Sequence, residues 1–188
     1  MARIREHNIN SGSFWDDQHN KATPHNVAIA TQFERLFSLD FVPKDKSISL
    51  LDVGCGNALH FQKFSKVYPN LALHGLDISQ LVTEKNKLTS AGNFICLDIE
   101  RENLTEVYDY IVSFHTFEHF TDPVSVLKKC LNHAREKVII CVPYEDAWAL
   151  DETHIHKFSL TEPFEGYVDY KIVNNDQEIF YVFEGLAK

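Results

Sequence analysis

No apolar run in this 188-residue chain approaches the length needed to cross a bilayer. The opening Met1-Ala2-Arg3-Ile4-Arg5-Glu6-His7 also lacks the apolar core of a secretion signal. Neither membrane insertion nor export is therefore expected, and a cytoplasmic location follows by default. The four cysteines, Cys55, Cys96, Cys130 and Cys141, form no CxxC pair, which argues against a cysteine-built zinc site and fits a reducing compartment. Basic residues are few: 18 Lys and Arg against 27 Asp and Glu give a formal charge of −9. Phosphate binding needs clustered Lys and Arg, so nucleic acid is not an expected partner. Only six prolines and seven glycines accompany 44% hydrophobic residues, a globular composition and not a disordered one. Repeats and low-complexity tracts are absent. The length fits one domain over 1–188, with 1–45 as an N-terminal segment and helix and 46–188 as the core.

The most informative stretch is Leu50-Leu51-Asp52-Val53-Gly54-Cys55-Gly56-Asn57-Ala58. An apolar strand runs into an acid and then into a glycine turn. Gly54 and Gly56 have no Cβ, so they can take positive φ and let the backbone approach a ligand. Leu59 to Lys66 reads as a helix whose first N–H groups would face the same ligand. Strands and helices then alternate: strand 48–53, helix 58–67, strand 71–76, helix 79–90, strand 93–97, strand 108–114, helix 123–135 and strand 137–142. Ser79 and Asp122 fit as N-caps, with Pro123 at the first helical position. Such alternation predicts an α/β, Rossmann-like doubly wound parallel sheet with helices on both faces. Residues 167–173 and 178–184, joined by Asn174-Asn175-Asp176-Gln177, read as a terminal β-hairpin. Upstream, Ile29, Phe33, Leu36 and Phe37 form an apolar stripe at helical spacing between His25 and Phe41. Residues 1–23 look irregular apart from Phe14 and Trp15.

Two departures separate the turn from a dinucleotide site. The pattern G-x-G-x-x-G needs a third glycine where this chain has Leu59. A carboxylate at Asp52, if aimed at the turn, would repel a pyrophosphate but attract a cation. In doubly wound folds an acid about 20 residues beyond the glycines binds ribose hydroxyls, and Asp77 closes the second strand there. Asp98 follows the third. With these residues the chain resembles the class I S-adenosylmethionine-dependent methyltransferases, whose first motif reads acidic-x-G-x-G-x-G, Ala58 replacing its last glycine. Tyr108 to His115 resembles the fourth motif of that family, and Thr116-Phe117-Glu118-His119-Phe120 its continuation. The resemblance spans about residues 48 to 184 and implies a seven-stranded sheet with one antiparallel strand.

It also implies S-adenosylmethionine as cofactor, with S-adenosylhomocysteine as product. The cofactor residues would be Asp52, Gly54, Cys55, Gly56, Asn57, Asp77, Ile78, Asp98, Ile99, Phe114 and His115. Ile78 would lie against the adenine and Asp98 would accept from its amino group. A segment containing Phe14 and Trp15 would form a lid or cover the sheet edge. Glu118 and His119 would face the substrate or serve structure. His154 and His156 flank Ile155, so in extended backbone they would share a face. They would then address a substrate together, bind a divalent metal with Glu118, or act structurally. Nothing in the spacing places Glu118 beside them, so no metal site is assigned. Glu118, His119, His154 and His156 form the pool of catalytic candidates, with Tyr144 and Trp148 as further acceptor contacts.

The resulting expectation is methyl transfer to a small-molecule acceptor, preferably O-methylation of a sugar or other hydroxyl-bearing metabolite. A non-catalytic cofactor- or partner-binding protein on the same fold is the alternative. An NAD-linked oxidoreductase is opposed by Leu59 and Asp52. The oligomeric state is left open. The methyltransferase expectation rests on an open hollow at positions 52 to 58 with Asp52 facing it.

Overall fold

The computed structural model describes residues 2–3, 9–20, 33–144, 152–160, 164, 170–174 and 177–188. Its elements are β1 (Ala2–Arg3), α1 (Gly12–Asn20), α2 (33–38), β2 (Ile48–Val53), α3 (Leu59–Val67), β3 (Leu71–Asp77), α4 (Gln80–Thr89), β4 (Asn93–Cys96), β5 (Tyr108–Phe114), α5 (Pro123–His133), β6 (Ala134–Pro143), β7 (His156–Lys157), β8 (Tyr170–Asn174) and β9 (Glu178–Glu184). Seven strands form one sheet in the order β4-β3-β2-β5-β6-β9-β8. The pairings from β4 through β6 are parallel, whereas β9 runs antiparallel to both β6 and β8. Short β1 and β7 pair separately, Arg3 opposite His156.

Side chains alternate across a strand with period two, and the central strands use both faces. Leu50, Val112, Ile139, Cys141, Phe180 and Val182 enter one core together with Phe33, Phe37, Phe61 and Phe64 from α2 and α3. Leu51, Val53, Ile111, Ile140, Val142, Tyr181 and Phe183 enter a second core with Val126, Leu127 and Leu131 from α5. The described part of the predicted helical stripe is fully committed: Phe33, Leu36 and Phe37 are at most 1% exposed. Ile29 lies outside the described residues, as do positions 175–176 of the hairpin turn.

Helix starts follow the sequence reading. Ser79 caps α4 by accepting from Val82 N, and Asp122 caps α5 by accepting from Ser125 N, with Pro123 in the first turn. Two regions differ by more than a residue at an element's end. Residues 12–20 are helical where an irregular segment was expected, because α1 buries no residue fully and so carries no core stripe to read; Ser11 Oγ accepts from Phe14 N at its start. β6 begins at Ala134 and not at 137, following α5 without a loop. The charged run Arg135-Glu136-Lys137 continues a helical pattern in the sequence, but pairing of Ala134 with Tyr108 draws it into the sheet. No helix among the described residues is long and apolar enough to cross a membrane.

Strand order reverses between β2 and β5, so the carboxyl ends of β2, β3, β4 and β5 open on one crevice. Below that edge, Asp109 ties three strands together. Its carboxylate accepts from Ser49 N at 2.7 Å and Ser49 Oγ at 2.9 Å, and pairs with Arg135 at 3.2 Å. Burial alone would raise its pKa, but these contacts outweigh burial and lower it. A depressed folded pKa means the contribution is complete above the unfolded value near 3.9 and is lost as pH falls through the folded value. Asp109→Ala is expected to destabilise by roughly 1–2 kcal/mol, the lower part of the range for charged hydrogen bonds because the side chain is 27% exposed. Urea unfolding at pH 7 and pH 3 checks this, and the gap between variant and parent should shrink at the lower pH.

Candidate active site

The glycine turn takes the strained geometry its composition allows. Gly54 has φ +78° and Gly56 φ +51°, both in the left-handed region. A Cβ on Gly54 would stand 2.2 Å from Thr116 Oγ1 and 2.8 Å from Thr116 Cβ, so the β5 exit loop leaves it no room. Ala58, in place of a glycine, also sits at φ 45° and offers α3 no side-chain cap. Leu59, in place of another, is 53% exposed, so no close helix–strand packing acts on it.

Above this turn lies a cavity of about 380 Å³, within the range of small-molecule sites. Gly54, Gly56, Asn57, Asp77, Ile78, Asp98, Ile99, Phe114 and His115 all line it, as do Glu118, His119 and His154. From α1, Phe14, Trp15, Gln18 and His19 close one side. Trp15 packs edge-on against His119 with ring centroids 5.1 Å apart. Asp16 anchors the helix by accepting from Leu81 N at 3.1 Å and from Ser79 Oγ.

Three predicted site residues are not in this lining. Asp52 is 1% exposed and faces away from the hollow, its Oδ2 pairing with His60 Nε2 at 3.0 Å. It lies on the same strand face as Leu50, which points under α3, and the inward-facing His60 meets it there. Cys55 is 1% exposed and faces Gly75 and Asn86 instead of the cavity. His156 donates from Nε2 to Thr121 O at 3.3 Å. His154 lines the cavity and His156 does not, and β7 begins only at His156, so the two do not address the cavity together. Tyr144 pairs through its backbone N–H with Gln177 O and does not line the cavity; Trp148 lies outside the described residues.

One half of the condition set by the sequence therefore fails: Asp52 supplies no negative wall. The other half holds, since the hollow is open. Its negative lining comes from Asp77, Asp98, Glu100, Glu118, Glu152 and Glu178. Asp77 is 6% exposed, and its two oxygens accept from Gly56 N and Ser79 N, each at 2.9 Å. Burial raises its pKa, against the opposing pull of the Ser79 and Gly56 N–H groups and His19. Sequence reasoning missed His19, whose only signal was its fourth-residue spacing from Trp15 on a helix that was not foreseen.

At the far end, Glu118, His119 and His154 converge from the short turn Phe117–His119 and from the segment before β7. Glu118 is 1% exposed, with His115 Nδ1 at 3.6 Å and His154 Nε2 at 3.9 Å from Oε1. Burial would raise Glu118, but contact with His115 and the nearby His119 and His154 hold it below the usual carboxylate range. Burial would lower His115, yet its contacts with Cys141, Glu118 and Glu178 outweigh it and hold the imidazole well above its ordinary value. His115 also takes φ 50° at the end of β5, a left-handed backbone that is uncommon outside glycine. His119 Nδ1 lies 3.0 Å from Thr153 O. A carbonyl can only accept, so Nδ1 carries the proton and in the neutral ring Nε2 keeps the lone pair.

Comparison with known proteins bears on the fold that holds this cavity. The family model described as "methyltransferase domain" matches residues 51–139. That match covers a little under half of the chain, and the fold is the one that class I methyltransferases share. Among curated proteins it is similar to the malonyl-[acyl-carrier protein] O-methyltransferase of Bacillus anthracis, 29% identical over 47% of this chain and 34% of that protein. A second similar protein is malonyl-[acyl-carrier protein] O-methyltransferase 1 of Ilyobacter polytropus, 40% identical over 41% of this chain and 30% of that protein. Its match thus spans about a third of the length of these relatives. Among solved structures, the plantazolicin methyltransferase BpumL, in complex with a monoazolic desmethylPZN analog and SAH, superposes with a TM-score of 0.65 at 20% identity, covering 93% of this chain and 90% of that one. A TehB-like SAM-dependent methyltransferase from Corynebacterium glutamicum gives 0.59 at 15% identity, covering 86% and 98%. At such identities the likeness concerns the fold.

Gly54→Ala tests the turn. A side chain at φ +78° clashing with Thr116 is expected to destabilise by about 2 kcal/mol or more. Thermal melts should show that loss, and a parent-like melting temperature would contradict the close approach.

Proposed function

We propose that this chain transfers a methyl group from S-adenosylmethionine to a hydroxyl oxygen of a small acceptor that carries no negative charge. The observation that carries the reading is the cavity, in which a bare glycine turn, two strand-end acids and a Glu–His cluster meet. S-adenosylmethionine supplies a methyl group on a positively charged sulfur. The acceptor oxygen forms a new bond to that carbon as the carbon–sulfur bond breaks; the bond's electron pair stays on sulfur, and the hydroxyl proton must leave.

The residues fit that group. The backbone at Gly54 and Gly56 leaves room for close approach. Asp77, fixed by two backbone N–H groups, retains acceptor capacity for ribose hydroxyls. Asp98 and the flanking Ile78 and Ile99 suit the adenine. Phe114 and His115 lie where β5 ends, between the cofactor end and the acceptor end. Phe14 and Trp15 on α1 act as a lid, which excludes water and strengthens electrostatic interactions inside. Glu118, His119 and His154 form the acceptor end, where the proton is removed. Holding acceptor oxygen and methyl carbon in line can by itself supply about 7–11 kcal/mol.

The acceptor class follows from charge. Six carboxylates line the cavity, and among the described lining residues there is no Lys or Arg. The curated relatives are named malonyl-[acyl-carrier protein] O-methyltransferases, which supports oxygen as the acceptor atom. A carboxylate acceptor would meet like charges here and no guanidinium or ammonium partner. A sugar or another neutral polyol metabolite fits better.

Isothermal titration with S-adenosylhomocysteine tests cofactor binding directly, and no heat at about 1 mM would overturn the reading. Asp98→Ala should weaken affinity about tenfold, equivalent to about 1.4 kcal/mol, with a small drop in melting temperature because Glu100 N and Arg101 lose a partner. Asp77→Ala should weaken it further and also lower the melting temperature, because Gly56 and Ser79 lose their acceptor. On an acceptor panel of neutral polyols, His119→Ala should lower turnover about a hundredfold with cofactor affinity unchanged.

A further inference from the structure

We propose that Glu118, His119 and His154 form a binding site for one divalent transition-metal ion at the acceptor end of the cavity. One ligand atom from each side chain lies within 4.8 Å of the others. Two imidazoles and one carboxylate are a donor set that borderline ions such as Zn²⁺, Co²⁺ or Fe²⁺ favour over purely oxygen-liganded ions.

Two further observations point to an ion. Glu118 is 1% exposed, and among the described residues neither carboxylate oxygen has a partner at hydrogen-bond distance, His115 Nδ1 and His154 Nε2 standing 3.6 and 3.9 Å from Oε1. A buried carboxylate normally receives several hydrogen bonds, and one that receives none is a position where an ion or water belongs. His119, in turn, has the outer contact that ligating histidines usually have. Its Nδ1–H donates to Thr153 O at 3.0 Å, which fixes the ring and leaves Nε2 as donor atom. Asn10 Nδ2 donates to the same carbonyl at 2.9 Å, so the Thr153 acceptor is itself held in place.

Geometry sets a modest demand on the side chains. A tetrahedral ion with bonds of about 2.1 Å holds its ligands about 3.4 Å apart, so ligand atoms now within 4.8 Å of one another must draw together by up to about 1.4 Å, which side-chain rotation supplies. Three protein ligands leave positions open towards the cavity, the mark of a working site and not a purely structural one. If the methyltransferase reading holds, an acceptor hydroxyl occupies one of them and the ion lowers its pKa. The ion then takes the place of a free base. The neighbouring set His115, Cys141 and Glu178 is a weaker choice, because Cys141 is fully buried and His115 Nε2 already pairs with Glu178 at 3.0 Å.

The test is a titration of the chelator-treated full chain with Co²⁺, followed by visible absorption, and with Zn²⁺ by calorimetry. About one equivalent of each should bind, and the Co²⁺ spectrum should show the intensity of a four- or five-coordinate ion. His119→Ala, His154→Ala and Glu118→Gln should each weaken binding at least tenfold, whereas His133→Ala on α5 should not. S-adenosylhomocysteine affinity and far-UV circular dichroism on every variant establish that it is folded; should Glu118→Gln not fold, the two histidine variants decide. No Co²⁺ spectrum at tenfold excess, or parent-like binding in His119→Ala and His154→Ala, overturns the metal site. Metal binding without S-adenosylhomocysteine binding would instead overturn the methyltransferase reading and leave the ion in place.

Discussion

The Asp77 carboxylate is the constraint on which the rest of the cavity depends. It closes β3, accepts from Gly56 in the turn after β2, and accepts from Ser79 at the start of α4. Three elements are thereby locked around one buried charge, and the glycine turn cannot shift without breaking that lock. Its burial is costly, and the two N–H groups are what make it tolerable. Gly54 meets the same demand from the other side, where Thr116 occupies the space any Cβ would need. The turn is thus held between the ends of β3 and β5, and its backbone is presented to the cavity in one shape.

Most of the fold was legible because buried parallel strands advertise themselves. The segments Ile48–Val53 and Tyr108–Phe114 are near-continuous apolar runs, as strands covered on both faces must be, and both were read to the residue. Caps were equally plain at Ser79 and Asp122. What was not legible lacked a core signature. α1 is polar and rests on the cavity and not in the core, so no stripe betrayed it. The Ala134 start of β6 was hidden because a charged run with helical character was drawn into the sheet by a partner far away in sequence.

The site divides in the same way. Acids that close strands were found because topology alone brings strand ends together, and Asp77 and Asp98 both line the crevice. Asp52 was misread for lack of one step: with period two it follows Leu50, and Leu50 faces the helix layer. His60 on the inner side of α3 was the available signal, since a buried carboxylate needs a partner. The meeting of Glu118 with His154, 36 positions apart, had no sequence signal, because it depends on where the chain returns after β6. His156 misled for a related reason, as alternation holds only within a strand and the strand begins at that residue.

The edge contact between Trp15 and His119 has a practical consequence. Indole emission is sensitive to the charge and polarity of an adjacent imidazole, so this chain carries an optical reporter 5.1 Å from the Glu–His cluster. The sequence contains just one other tryptophan, Trp148, so substituting phenylalanine there leaves a single fluorophore. Events at the Glu118, His119 and His154 cluster then become visible in stopped flow without any label.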